Sequence, residues 1–108
     1  MDRAAELAQL LEELTAEMQA LGLWELQPPS PQALASTEPF CVDTLNFSQW
    51  LQWVMLPRFE QMLAEGMPLP QNCSIHPFAE EALKEHPADT RQLLVLIERI
   101  DLTLTIHH

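Results

Sequence analysis

Between Arg3 and Leu21 the apolar residues Leu7, Leu11, Leu14, Met18 and Leu21 recur in steps of four and three. That spacing lines them up along one stripe of an α-helix, while Glu6, Glu13 and Glu17 fall on other faces. Gly22 supplies the stop. The same spacing would serve as a coiled-coil seam, but it persists for only about two heptads, so the pattern predicts a helix packed among neighbours in a bundle.

From Leu23 to Leu45 the periodicity is lost, and Pro28, Pro29, Pro31 and Pro39 forbid a continuous helix. Long structureless connections are uncommon in compact domains, which predicts internal anchors. Trp24 and Leu26 are expected to fasten its start and Phe40 its end, with a short helical turn opened by Ser30-Pro31 and running through Ala35.

Asn46 followed by Gln49 reads as a capping box, with Leu45 and Trp50 at the two positions of a hydrophobic staple. The helix that follows has Phe47, Trp50, Leu51 and Val54 on one face and Trp53 and Leu56 on another, which makes it central. Pro57 predicts a kink, after which Arg58 to Glu65 resumes as far as Gly66. A second connector, Met67 to Ile75, leads to a short helix with Pro77 in its first turn, Glu80 and Glu81 near its start and Lys84 in its last turn. His86-Pro87 ends it. Ala88 or Asp89 opens the last helix, whose inner face is Leu93, Leu96, Ile97, Ile100 and Leu104, and residues Leu102 to Ile106 predict a frayed or extended end. The fold expected is all-α: a four-helix bundle, largely antiparallel, with a long Pro-rich connection after helix 1 and a Pro-kinked central helix. A chain of 108 residues accommodates it as one domain, 1–108.

Charge narrows the functional classes. Five Lys and Arg stand against 16 Asp and Glu, a net charge of -11, so the long-range field repels phosphates and no direct nucleic-acid contact is expected. The same field favours encounter with basic proteins. Cys41 and Cys73 make no disulfide framework. The chain holds no apolar run of about 18 residues, and its acidic start at Asp2 is unlike a leader, so a soluble cytoplasmic protein without membrane contact is expected. His107 and His108 are left out of the functional reading.

Candidate chemistry is sparse. Gly22 and Gly66 both sit where helices end, so no glycine-rich phosphate loop exists. Ser30, Ser36, Ser48 and Ser74 lack a nucleophile-elbow context, and the carboxylates form charge runs on helix faces, from which no catalytic pair stands out. Catalytic residues, a cofactor and enzyme activity are therefore not expected of this chain. Cys73, His76, Glu80 and His86 have part of a metal-ligand spacing, but only one close pair, too few for a zinc site.

Arg58 follows the kink at the angular position of Phe47, Leu51 and Val54, so its guanidinium is expected in apolar packing, with Asp43 or Asp101 as its partner in a structural ion pair. Trp50 and Trp53 are about 300° apart around the helix, which leaves Trp53 for an edge or groove. An exposed apolar strip near Trp53, Leu56 and Phe59 is then a candidate protein contact. The alternative is a pocket for an anionic small molecule lined by Trp50, Trp53, Met55, Arg58 and Met62.

Asp43-Thr44-Leu45, Trp50-Leu51-Gln52-Trp53-Val54 and Leu56-Pro57-Arg58, with Asp101 in the last helix, give the chain a likeness across essentially its whole length. It resembles the YqcC-like family of small bacterial proteins. The resemblance implies an all-helical bundle and an association with tRNA pseudouridine synthase C. Because such synthases use a catalytic Asp in a mixed fold with a basic surface, the expectation is an accessory role through protein contacts, as a monomer or a homodimer, and no shared activity.

Overall fold

The computed structural model describes residues 3–70 and 73–105; the expectations for Ile106, His107 and His108 fall outside the described residues. The elements in order are α1 (Arg3–Ala20), α2 (Pro31–Leu34), a 3₁₀ turn (Pro39–Cys41), α3 (Phe47–Trp50), a π-helical turn (Leu51–Met55), α4 (Leu56–Glu65), α5 (His76–Leu83) and α6 (Arg91–Leu104). The described residues contain no strand, and the chain is all-helical. α1 lies along α6, α5 packs on α6, α4 touches α1, and α3 meets α5.

The seam of α1 and α6 is the backbone of the core. Leu7, Leu11, Leu14 and Met18 are buried as their spacing predicts, joined by Leu10, while Leu93, Leu96, Ile97, Ile100 and Leu104 face them from α6. Burial of each such side chain contributes about 1.5–3 kcal/mol. α1 closes with Gly22 at φ 74°, the Leu23 N–H donating to Met18 O (2.9 Å) and the Gly22 N–H to Gln19 O (3.2 Å). This is a Schellman turn, which needs a left-handed residue that glycine adopts without a steric penalty. Gly66 repeats the device at the end of α4, with Met67 N–H on Met62 O at 2.9 Å.

The central segment departs from expectation in one respect that changes its whole lower half. Residues 47–65 run on through α3, the π turn and α4, with helical angles at Leu51, Met55 and Leu56. Pro57 therefore falls in the first turn of α4. A proline in an α-helix lacks the N–H and presses its ring on the carbonyl four residues back. The preceding π turn, in which Leu56 N–H reaches back to Leu51 O, provides the wider ring that relieves this. A π turn also inserts one residue into the register. Buried positions accordingly run Phe47, Leu51, Gln52, Met55, Leu56 and Phe59 instead of Phe47, Leu51, Val54 and Arg58. Arg58 is exposed, and the expectation that it threads the apolar packing is corrected by this one-residue shift.

At the start of the chain, Arg3 ties the first turn of α1 to the end of α6. Its Nε donates to Thr103 O (3.0 Å) and its Nη2 to Leu104 O (2.9 Å) and Pro70 O (2.8 Å). The guanidinium thus satisfies two carbonyls at the negative end of α6 and holds the second connector against them.

Candidate functional site

The Trp-Leu-Gln-Trp-Val stretch fastens the start of the Pro-rich connection. Gln52 is buried, and its amide makes a two-way bond with the backbone of Glu25: Glu25 N–H donates to Oε1 at 2.8 Å, and Nε2 donates to Glu25 O at 2.7 Å. The Glu25 carboxylate accepts from Trp53 Nε1 (3.0 Å) and from Gln49 Nε2 (3.3 Å to each oxygen). Three side chains, Gln49 and, one turn on, Gln52 and Trp53, therefore grip one residue. Gln49 also closes the capping box, accepting the Asn46 N–H at 2.8 Å. Each neutral bond is worth about 0.5–1.5 kcal/mol, and an unmet buried amide would cost more.

Asp43-Thr44-Leu45 closes the other end of the same connection. Asp43 Oδ1 accepts from Ser36 Oγ, Thr44 Oγ1 donates to Ala33 O (2.7 Å), and Leu45 is buried. The short helix α2 stands between them as predicted, with Ser30 Oγ accepting the Ala33 N–H at 3.2 Å. Phe40 anchors the end, stacked on Phe78 (centroids 4.4 Å apart) and edge-on to Trp50 (4.8 Å). Phe40 and Cys41 have φ of 57° and 50°, a left-handed pair that costs about 1–3 kcal/mol per residue and persists because these contacts over-determine it. Trp24 packs against the core, but Leu26 is 92% exposed and anchors nothing; Glu25, not Leu26, is the point of attachment.

A third polar cluster lies where α6 meets the start of α5. Asp101, a buried residue on the inner arc of α6, accepts the Ile75 N–H with both oxygens (2.9 Å each) and the His76 N–H with Oδ2 (2.8 Å). It caps a helix other than its own, placing negative charge at the positive end of α5. Thr105 completes the fastening, its Oγ1 donating to Cys73 O at 3.2 Å. Burial, with the Asp101 bond and charge added, pushes the Cys73 thiol up to about 12, so it stays neutral and unreactive at ordinary pH. His76 lies between Glu80 (Nδ1 to Oε1, 3.3 Å) and Glu98 (Nε2 to Oε2, 3.6 Å). His86 stands apart, its Nδ1 accepting the Ala88 N–H. No group of three or more His, Cys, Asp or Glu side chains among the described residues is placed to hold a metal ion.

The sequence-predicted site residues are therefore dispersed. Arg58 points outward, and neither proposed partner meets it: Asp43 is taken by Ser36 and Asp101 by backbone amides. Leu56 and Phe59 are core residues, 3% and 6% exposed, so the expected apolar strip is not a surface. Trp53 is half-buried with its N–H engaged by Glu25, Trp50 belongs to the Phe40 and Phe47 ring cluster, and Met55 is buried. Glu25 and Arg3 escaped sequence reasoning, and Gln52 entered it only as a member of the Trp-Leu-Gln-Trp-Val motif. Gln52 carried a signal: a polar residue inside the otherwise apolar run 50–56 demands a partner.

Clefts lie elsewhere. A groove of ≈ 520 Å³ runs between α1 and α4, and a second hollow of ≈ 370 Å³ is lined by Leu23, Asn46, Phe47, Leu83 and His86 among others. No helix among the described residues is long and apolar enough to cross a membrane.

Residues 6–103 match the family described as DUF446, tRNA pseudouridine synthase C, and the chain belongs to this YqcC-containing family. An uncharacterised protein of Haemophilus influenzae is 47% identical over 77 residues, covering 71% of this chain and 73% of that protein. The uncharacterised protein YqcC of Escherichia coli is 35% identical over 100 residues, covering 93% and 89%. The solution NMR structure of E. coli YqcC superposes with a TM-score of 0.83 at 30% identity, over 100% of this chain and 96% of that one. A protein of Pectobacterium carotovorum named tRNA pseudouridine synthase C is 36% identical over 72 residues, which are 67% of this chain but 19% of that protein.

Proposed function

We propose that this member of the family is a non-catalytic accessory unit that docks on a tRNA pseudouridine synthase. One observation supports the reading above the others. The Pectobacterium protein named for the synthase is matched over only 19% of its length, so most of it lies outside the likeness and is free to carry the activity in its name. The E. coli relative is matched over 89% of its length. A unit that makes up nearly all of one relative and a minor part of another works beside the larger part, tethered in one case and meeting it by diffusion in the other; a tether replaces affinity with effective concentration.

Charge supports the same division of labour. With a net charge of -11 the chain is poorly suited to contact tRNA, whereas an enzyme that binds tRNA carries the basic surface such a chain would meet. The frame for this role is the four-helix, largely antiparallel bundle of segments 3–20, 47–65, 76–83 and 91–104, working in the cytoplasm where its partner does. The alternative, an anionic-ligand pocket at Trp50, Trp53 and Arg58, draws no support from side chains that point apart.

Isothermal titration of the full chain against the pseudouridine synthase of the same organism tests the proposal. A saturable complex of micromolar Kd or tighter is the expected result, with no pseudouridine formed when the chain alone is incubated with tRNA. Pseudouridine formation by the isolated chain would overturn it, as would the lack of any complex at about 100 μM of each protein.

A further inference from the structure

We infer that the groove between α1 and α4 seats a lysine- or arginine-bearing amphipathic helix of a protein partner. The assignment deepens the accessory reading and rests on it only for the partner's identity.

Ala8, Thr15 and Ala16 are small, and they leave room on the side of α1 that faces α4. Ala8, Leu11, Glu12, Thr15 and Ala16 occupy one stripe of α1, and Glu60 and Leu63 answer from α4, enclosing ≈ 520 Å³. Leu11 at the floor is buried and Leu63 half-buried, while Ala8 and Ala16 are open to solvent. Thr15 Oγ1 is satisfied within the helix by Leu11 O at 2.9 Å, which leaves its methyl group for the groove. The floor is thus apolar and lets another backbone come close. The lining on α1 runs from Ala8 to Gln19, about 16 Å at 1.5 Å per residue, or three turns of a parallel helix. A trough between two helices is the surface into which the ridge of a third packs.

The charge of the occupant follows from the rim. Glu12 and Glu60 are both exposed, and among the described residues neither takes part in an ion pair. α1 carries Glu6, Glu12, Glu13 and Glu17 against a single base, Arg3, whose guanidinium is committed to the carbonyls of Pro70, Thr103 and Leu104. Arg58, the basic residue of α4, is two positions before Glu60 and so about 200° away round the helix. A partner that presents apolar residues at helical spacing, flanked by Lys or Arg, would cover the floor and neutralise both carboxylates; an acidic helix would meet only repulsion.

The test is a titration of the ¹⁵N-labelled full chain with a synthetic three-turn amphipathic peptide carrying leucines on one face and lysines beside them. Amide shifts should concentrate at residues 8–19 and 60–63. Reversal of both rim charges in E12K/E60K should weaken binding at least tenfold, while E38K/E85K, the same charge change at two exposed glutamates outside the groove lining, should leave it unchanged. All four carboxylates are exposed, so melting temperatures should match wild type. Shifts spread over the acidic surface, binding that survives E12K/E60K, or the same shifts with spermidine alone would each overturn the assignment. The synthase titrated against E12K/E60K separates the two proposals. If the synthase binds wild type and variant equally, the accessory reading stands and the groove falls; if it binds neither while the peptide seats as described, the groove stands and the partner is another basic protein.

Discussion

The seam of α1 and α6 and the central segment 47–65 are both helical and both apolar, yet only the seam keeps one period from end to end. In α1 and α6 the buried residues follow α-helical steps throughout, from Leu7 to Met18 and from Leu93 to Leu104. In the central segment the steps hold from Phe47 to Leu51 and then slip by one at the π turn, so that Met55 and Phe59 take the places of Val54 and Arg58. The cause is a single residue. Pro57 makes the narrower α ring unfavourable just before it, and the wider turn that accommodates it rotates everything downstream. A long helix can thus exchange a guanidinium for a phenyl ring at its core without leaving helical geometry.

The sharpest way to break this comparison is Phe59→Ala. With Phe59 6% exposed in the core cluster, its truncation should cost about 3–5 kcal/mol in urea unfolding. A cost near that of a surface substitution would mean that the slip does not occur and that the α register continues to Arg58. Next in size is Asp101→Ala, which tests the polar exception in the regular seam. It would leave the amides of Ile75 and His76 without their carboxylate, and a loss of about 2–3 kcal/mol is expected. Asp101→Asn should recover part of it, because an amide oxygen still accepts; equal losses in both variants would show that charge at the start of α5, not hydrogen bonding, sets the stability.

These two residues also mark where sequence reading succeeds and where it stops. Periodicity and end signals are local, so the helix of residues 3–20, both glycine stops, the Asn46–Gln49 box and the inner face of α6 were all legible. The start of α6 was displaced from Ala88 or Asp89 to Arg91, within the play of helix ends. Partner choice is not local. Asp101 stands out in the sequence but its partners do not, because they are the backbone amides of Ile75 and His76 and not the Arg58 side chain, and an amide has no letter in the sequence. Glu25 was hidden for the same reason: two of its bonds use its own N–H and C=O. The register slip was illegible in another way, since Pro57 announces a disturbance but not the added residue with which the chain meets it.

Arg58→Met is the smallest expected effect and completes the comparison from the opposite side. A guanidinium threaded through the core and paired with Asp43 or Asp101 would leave a buried carboxylate behind when removed, at a cost of about 3–5 kcal/mol. Arg58 instead stands in solvent one position before the buried Phe59, with Asp43 held by Ser36 and Asp101 by the α5 amides. Its replacement should therefore change stability by no more than about 0.5 kcal/mol. The pair of measurements is more telling than either one, because a uniform loosening of the helix would weaken both variants together. A one-residue slip makes Phe59→Ala severe and Arg58→Met silent, whereas an uninterrupted α-helix reverses the order.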